Sequence, residues 1–95
     1  EMYVKVGSGK TLYFQDGSNT NAVIDGSGNV GIGTLTPGTS AALDMGSITT
    51  KGLRLPNATD GGVGTPTEGM IIYDTDTNKL MFYNGSAWET VTSST

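Results

Sequence analysis

The chain has 95 residues, a formal net charge of −4 and 35% apolar residues, and 15 of its residues are glycine. It contains neither cysteine nor histidine, which excludes disulfide bonds, Cys/His zinc clusters and the catalytic dyads and triads that need either residue. Its five Lys and Arg residues are too scattered for a nucleic-acid-binding patch, and no apolar run approaches the roughly 18 residues of a membrane span.

The low apolar content predicts that a single copy of this chain is only marginally stable. A globular domain of ordinary composition contains about 45–50% apolar residues when glycine is counted, and this chain reaches that share only through its 15 glycines. Glycine has no side chain to bury and loses more backbone entropy on folding than any other residue. Small domains compensate with disulfides, metal sites or oligomerisation. Because cysteine and histidine are absent, association with further copies of the chain is the expected means of stabilisation.

Residues 1–34 are predicted to be a glycine-punctuated, shaft-like β region. Short apolar stretches alternate with glycine and Asx turns, and Asp-Gly pairs supply the positive φ angles that tight hairpin turns require. The predicted strands are residues 2–6, 11–15, 22–24 and 29–33, and the predicted turns are residues 7–9, 16–19 and 25–28.

Residues 35–68 are predicted to be an irregular connector. Residues 40–45 have two interpretations, a single helical turn capped by Ser40 or a strand in which apolar side chains alternate with Asp44. Proline lacks the N–H that a strand ladder needs, so it is expected at the end of an edge strand. The remaining predicted elements are an edge strand at residues 53–55, ended by Pro56, and a loop at residues 57–67.

Residues 69–93 are predicted to form a three-stranded β-meander. The first two strands are apolar without alternation, which is typical of strands buried on both faces. A short meander cannot cover both of its own faces, so further copies of the chain, or alternatively a longer parent protein, are expected to cover them. Strands are expected at residues 69–73, 79–83 and 87–91, with a polar turn at 74–78, a type I′ turn at Asn84-Gly85, and packing by Ile71, Ile72, Leu80, Phe82 and Trp88.

No catalytic, cofactor-binding or metal site is predicted, and the chain is expected not to be an enzyme. Residues 74–78 have the alternating oxygen ligands that begin an EF-hand loop, but Lys79 and Gly85 stand where that loop requires glycine and glutamate. An Asx-rich turn between strands explains these residues. The carboxylates that a glycosidase could use as a pair all lie in or beside predicted turns: Asp44, Asp60, Glu68, Asp74, Asp76 and Glu89. Cross-strand packing is preferred to a sugar-stacking platform for the aromatic side chains Tyr73, Phe82, Tyr83 and Trp88.

Two stretches resemble phage tail-fibre and tailspike-like proteins. The first is GNVGIGT at residues 28–34, followed by Thr36-Pro37. The second is EGMIIYDTDTNKL at residues 68–80, followed by YNGSAW at residues 83–88. The resemblance spans most of the chain, and it implies an all-β, intertwined homotrimeric fibre with short strands, little or no helix and no catalytic residues.

The same resemblance implies a function. The chain is expected to be a structural trimeric module of a phage tail fibre involved in host attachment, and therefore an extracellular component of the virion. Its expected partners are other copies of itself, neighbouring fibre segments and a host-surface glycan or protein, without nucleic acid, membrane insertion or a cofactor. The alternative is a receptor- or glycan-binding adhesin module of a phage or bacterial surface protein, with residues 57–67 as a contact loop.

In residues 30–33, branched apolar residues alternate with glycines, a pattern that suits close packing between chains. Strand periodicity places Val30 and Ile32 on one face and Gly31 and Gly33 on the other. The branched pair is hypothesised to face a shared core, while the glycine face lets a neighbouring chain approach closely. Replacement of Gly31 by valine is then expected to impair assembly.

Overall fold

The computed structural model describes residues 1–92 and shows a nearly all-β chain, as predicted. Eight short strands form two four-stranded sheets, and the helical segment within the described residues is a single 3₁₀ turn. No helix in this part of the chain is long and apolar enough to cross a membrane. The chain divides into two compact units, Glu1–Gly52 and the residues from Leu53 onward. Residue 93, the last of the predicted meander region, lies outside the described residues.

The first unit contains a sheet with the strand order β1-β2-β3-β4. Its first three strands form an antiparallel meander, and β4 pairs with β3 in parallel. The strands are β1 (Leu12–Asp16), β2 (Asn19–Ile24), β3 (Val30–Ile32) and β4 (Leu43–Asp44). The strands predicted at residues 11–15, 22–24 and 29–33 are confirmed, with ends that differ by one to three residues.

Turn chemistry and one buried valine organise this sheet. Gly17 adopts a φ of 61° in the turn that joins β1 to β2, a conformation that glycine reaches without steric cost. The Asp25 carboxylate closes the next turn by accepting hydrogen bonds from the backbone N–H groups of Ser27 and Asn29, both at 2.9 Å. Val23 on β2 is completely buried and forms the centre of this small core. The unit therefore depends on local turns and on very little apolar burial.

Two expectations for the first unit are corrected by the structure. Residues 2–6 form no strand and are exposed, because a strand needs a partner for its backbone groups and β1 pairs only with β2 within the described chain. Residues 40–45 form no helical turn, and the alternative interpretation holds at Leu43–Asp44. That strand is fixed by parallel pairing with β3, a distant contact that outweighs the local cap signal of Ser40.

The second unit contains a sheet with the strand order β5-β6-β7-β8. The three strands β6 to β8 form the predicted antiparallel meander, and β5 pairs with β6 in parallel. The elements are β5 (Asn57–Ala58), the 3₁₀ turn (Asp60–Gly62), β6 (Ile71–Asp74), β7 (Lys79–Tyr83) and β8 (Trp88–Thr90). The predicted loop at residues 57–67 thus contains both a short strand and the 3₁₀ turn.

Two further expectations are wrong in detail. Residues 53–55 form no strand, because pairing begins after the proline: the Pro56 carbonyl accepts a hydrogen bond from the Tyr73 N–H at 2.9 Å. Asn84-Gly85 is not a type I′ turn, since that turn needs positive φ at both residues and only Gly85 has it. The Asn84 side chain shapes the connection instead, by accepting hydrogen bonds from the N–H groups of Ser86 and Ala87, both at 2.8 Å.

Candidate functional site

One face of the second sheet is buried within the unit. Ile72 on β6 and Met81 on β7 lie directly opposite each other in the ladder and are buried. Tyr83 and Trp88 are also paired across the ladder, and their rings meet edge to face with centroids 5.2 Å apart. Such a cross-strand aromatic pair stabilises a sheet through packing. This face, which we call the closed face, contains the hydrophobic packing that the single chain provides for itself.

The opposite face of the same sheet is open to solvent and mostly apolar, with Glu89 opposite Phe82 as its charged residue. Ile71 is 48% exposed, Leu80 is 38% exposed and Val91 is 49% exposed. Strand alternation places them on one face together with the half-buried Tyr73 and Phe82, since Ile71 pairs with Phe82 and Tyr73 pairs with Leu80. A hydrogen bond of 2.8 Å from the Val91 N–H to the Leu80 carbonyl extends the ladder to this last residue. We call these five side chains the open face.

A shallow groove lies beside Tyr73 of the open face. Its volume is about 250 Å³, and it is lined by Leu53, Arg54, Leu55, Asn57 and Tyr73. Asn57 pairs with Tyr73 between β5 and β6, which places both residues on the same side of the sheet. The groove combines apolar walls with one guanidinium and one amide, so it offers both packing surface and hydrogen-bond donors.

The predicted packing residues are thus divided between the two faces of the second sheet. Ile72 and Trp88 contribute to the closed face, whereas Ile71, Leu80 and Phe82 lie on the open face. The four aromatic side chains of the meander are split in the same way, so they do not form one stacking platform. Val91 was not singled out from the sequence. Val91 lies opposite Leu80 when the pairing of β7 with β8 is continued by one residue, so the register of the meander identifies it as part of the open face.

The glycine motif of the first unit packs against its own chain. A Cβ atom on Gly31 would meet the Thr34 carbonyl oxygen at 2.9 Å and a Val23 methyl group at 3.2 Å. A Cβ atom on Gly33 would meet the Ile48 side chain at 2.8 Å. The close approach that these glycines permit is therefore used by neighbouring segments of the same unit. A contact with a second chain at these glycines stays a prediction.

Val30 and Ile32 differ in exposure on the other side of the same strand. Val30 is half-buried, while Ile32 is 39% exposed. Ile32 therefore retains apolar surface that the described chain leaves in contact with solvent. The hypothesis that this branched pair faces a core shared between chains is compatible with that exposure and stays a prediction.

Two of the carboxylates considered as catalytic candidates organise loops. Asp44 accepts hydrogen bonds from the backbone N–H groups of Gly38 at 2.8 Å and Gly46 at 2.7 Å. These bonds, with the Gly38 N–H foremost, hold the pKa of the Asp44 carboxyl below its ordinary value. Glu89 accepts a hydrogen bond of 2.9 Å from the Asn84 side chain. Both side chains have structural partners that explain their positions.

Three other carboxylates come together at the end of β6. One oxygen each of Asp60, Asp74 and Asp76 lies within 4.8 Å of the others. Parallel pairing of Ala58 with Asp74 is what brings Asp60 from the preceding segment to the β6–β7 turn. The Asp60 contribution was missed from the sequence, because no local spacing links it to residues 74–78. We call these three residues the acidic cluster.

The comparisons with known proteins yield one match. The family described as phage tail like trimerisation region matches residues 31–95, about two thirds of the chain. The matched segment includes Gly31, Gly33 and the whole second sheet. No curated protein and no solved structure matches the chain.

Proposed function

We propose that this chain, which belongs to the phage tail-like trimerisation family, joins three copies of a tail fibre through its open face and that the fibre serves host attachment. Family membership makes the chain a structural, self-associating trimeric module of a phage tail. The proposal adds the surface through which the copies meet and the purpose of the fibre. It also assigns the chain a non-enzymatic role.

The observation that carries the proposal is the exposed apolar surface of the open face. Ile71, Leu80 and Val91 each expose between 38% and 49% of their surface, although the closed face of the same sheet is buried. Burial of apolar surface contributes about 25 cal/mol per Å², so covering this face favours association. In a rotationally symmetric trimer the same patch of every copy is covered at once. A small domain that has few buried apolar residues and one exposed apolar face is suited to such an assembly.

A second candidate function is glycan binding in the groove beside Tyr73. An aromatic ring, the Arg54 guanidinium and the Asn57 amide are side-chain types that pack on and hydrogen-bond to sugar rings. Because Tyr73 also belongs to the open face, the test uses Arg54 instead. Binding of the purified trimer to a glycan array, lost in Arg54→Ala but not in the control Lys5→Ala, would support this candidate. An array without any signal leaves the structural role as the sole function proposed for this unit.

The mass of the chain in solution tests the proposed interface. Sedimentation equilibrium of the wild-type chain is expected to give three times the monomer mass. The variant Ile71→Asp places a charge on each copy of the open face, and burial of unpaired charges opposes association. This variant is expected to sediment as a monomer at micromolar concentration. Because Ile71 is exposed in the single chain, far-ultraviolet circular dichroism is expected to remain β-rich.

The matched control is Val4→Asp. Val4 is 68% exposed and lies outside the family-matched residues 31–95, so this variant is expected to remain trimeric. A wild-type chain that is monomeric, or an Ile71→Asp variant that stays trimeric, contradicts the proposed interface. Loss of the trimer in both variants indicates a general effect of charge and contradicts it as well.

A further inference from the structure

The acidic cluster places three like charges where two segments of the second unit meet. Asp60 begins the 3₁₀ turn that follows β5, whereas Asp74 ends β6 and Asp76 lies in the turn before β7. One oxygen of each lies within 4.8 Å of the others. Like charges at this distance repel one another unless a cation neutralises them. Lys79 faces Asp74 across the ladder, but its side chain is exposed to solvent.

The second observation concerns one oxygen atom of Asp74. This residue is only 2% exposed, so its carboxylate is among the most buried groups of the chain. Its Oδ2 accepts hydrogen bonds from the backbone N–H and the hydroxyl of Thr77. Its Oδ1 is buried and accepts no hydrogen bond of good geometry from residues 1–92, although the backbone N–H groups of Asp60 and Asp76 also face this carboxylate. Buried polar atoms are almost always satisfied, so this oxygen lacks a partner that the assembled, hydrated protein is expected to supply.

Only one oxygen of Asp74 is free to bind a ligand. Oδ2 is committed to the backbone N–H and the hydroxyl of Thr77, so Oδ1 is the oxygen left. A carboxyl group with one uncommitted oxygen beside two further carboxylates attracts a cation.

We propose that Asp60, Asp74 and Asp76 bind a calcium ion. Calcium is coordinated by six to eight oxygens at about 2.3–2.6 Å, so two ligands on opposite sides of the ion lie about 4.8 Å apart. The separations within the acidic cluster fit that span. The exposed carboxylates of Asp60 and Asp76 leave access for the water molecules that complete such a shell. Magnesium requires a near-ideal octahedron and dehydrates reluctantly, and transition metals prefer nitrogen and sulfur ligands.

The site has a structural consequence. A cation at the acidic cluster ties the segment after β5 to the turn that joins β6 and β7. It thereby stabilises the strand that carries Ile71 and Tyr73 of the open face. A site with three carboxylates, two of them exposed, is similar to the weak calcium sites of extracellular modules. The dissociation constants of such sites lie at about 10⁻⁴–10⁻³ M.

Calcium titration of the full chain tests this proposal. The chain is first treated with a chelator and then melted in increasing concentrations of calcium chloride at constant ionic strength. Equilibrium dialysis is expected to give one calcium ion per chain. At a tenfold excess over the dissociation constant, the melting temperature is expected to rise by about 6–11 °C. Sedimentation of the same samples reports oligomeric state separately, so a calcium-binding monomer supports this site while it contradicts the proposed interface.

Two variants and one control assign the effect to the cluster. Asp60→Asn and Asp76→Asn are each expected to abolish the calcium-dependent rise, and each is expected to raise the melting temperature without calcium because repulsion is relieved. Asp16→Asn removes an exposed carboxylate at the end of β1 in the first unit and is expected to respond to calcium as the wild type does. Asp74 is not used as the test, since its loss also removes the bonds to Thr77.

Three results overturn the proposal. The first is a melting temperature that does not respond to calcium at about 10 mM, ten times the weakest expected dissociation constant. The second is an equal response to magnesium, which indicates general screening of the repulsion rather than a coordinated ion. The third is a calcium response that survives in the Asp60→Asn, Asp76→Asn double variant.

Discussion

At the residue scale, hydrogen bonds from single carboxylates shape the loops of this chain. Asp44 binds the N–H groups of Gly38 and Gly46, and Asp25 binds those of Ser27 and Asn29. Each carboxylate thereby satisfies backbone donors in segments without regular secondary structure. In a chain with so few buried apolar residues, such bonds are a substantial part of what defines the loop conformations.

The stability of the first unit is expected to fall in acid because of Asp44. The pKa of this carboxyl is lowered in the folded chain, so the ionised form is bound more tightly there than in the unfolded chain. Its contribution is complete above the ordinary pKa of an aspartate and is lost as the pH falls through the lower, folded-state value. Thermal melts between neutral pH and pH 3 check this. Asp44→Asn is expected to melt a few degrees lower at neutral pH and to show a weaker dependence on acid than the wild type.

The control for Asp44 is Asp16→Asn, which alters an exposed carboxylate at the end of β1 in the same unit. Its melting temperature at neutral pH is expected to match that of the wild type. If Asp44→Asn retains the full acid dependence, the bonds to Gly38 and Gly46 do not account for it.

Gly31 gives the sharpest steric prediction at this scale. A side chain at this position collides with the backbone oxygen of Thr34, which cannot move away as a flexible side chain can. Gly31→Val is therefore expected to destabilise the first unit by about 1–3 kcal/mol, the usual cost of overpacking. Thermal or urea unfolding measures this loss. Gly52→Val serves as the control, because no atom lies within 4 Å of its added Cβ.

The Gly31 variant also separates two explanations of the motif. If Gly31→Val unfolds more easily, the glycine is needed within the chain, as its contacts with Thr34 and Val23 indicate. If the monomer retains wild-type stability and only assembly is lost, the glycine serves contact between chains, as the alternation of the sequence suggested.

At the element scale, strands that pair with a neighbour in the chain were predicted well, whereas strands without a partner or with a distant partner were not. β7 was predicted with its observed ends, because an Asx-rich turn precedes it and a glycine-containing turn follows it. Residues 2–6 carry an equally apolar pattern and form no strand, since within the described residues no neighbouring strand pairs with them. β4 and β5 are only two residues long and pair in parallel with distant strands, a length at which periodicity carries no signal.

The connection between β7 and β8 shows a similar limit. The Asn-Gly pair correctly marked a turn, but the Asn84 side chain and two backbone N–H groups determine its geometry. Gly85 has a φ of 98°, and a Cβ atom added to it would meet the Glu68 carboxylate at 2.5 Å. The need for glycine at this position therefore also depends on a residue that precedes the meander, which dipeptide statistics do not include.

At the scale of the whole molecule, association is expected to contribute directly to stability. The closed face and Val23 provide a small amount of buried apolar surface, whereas the open face is exposed in the single chain and, in the proposed trimer, becomes buried when copies meet. Since a trimer and its unfolded chains differ in particle number, the melting temperature is expected to rise with chain concentration. A tenfold increase in concentration corresponds to about 4 °C or more for a domain of this size.

Differential scanning calorimetry over two decades of concentration checks this dependence. The Ile71→Asp variant, which is expected to be monomeric, should melt at a lower temperature that does not change with concentration. A wild-type melting temperature that is independent of concentration contradicts coupled folding and association.

Residue types and their spacing along the chain were sufficient to predict the β-rich class, most of the turns and the meander. They also excluded disulfides and every site that needs cysteine or histidine. These features depend on local residue chemistry and on periodicity, which can be read over a few neighbouring residues. Only the tertiary structure decided which face of the meander is closed, which segment fills the space beside Gly31, and that Asp60 lies beside Asp74. Those facts depend on contacts between segments far apart in the chain, for which no local pattern carries a signal.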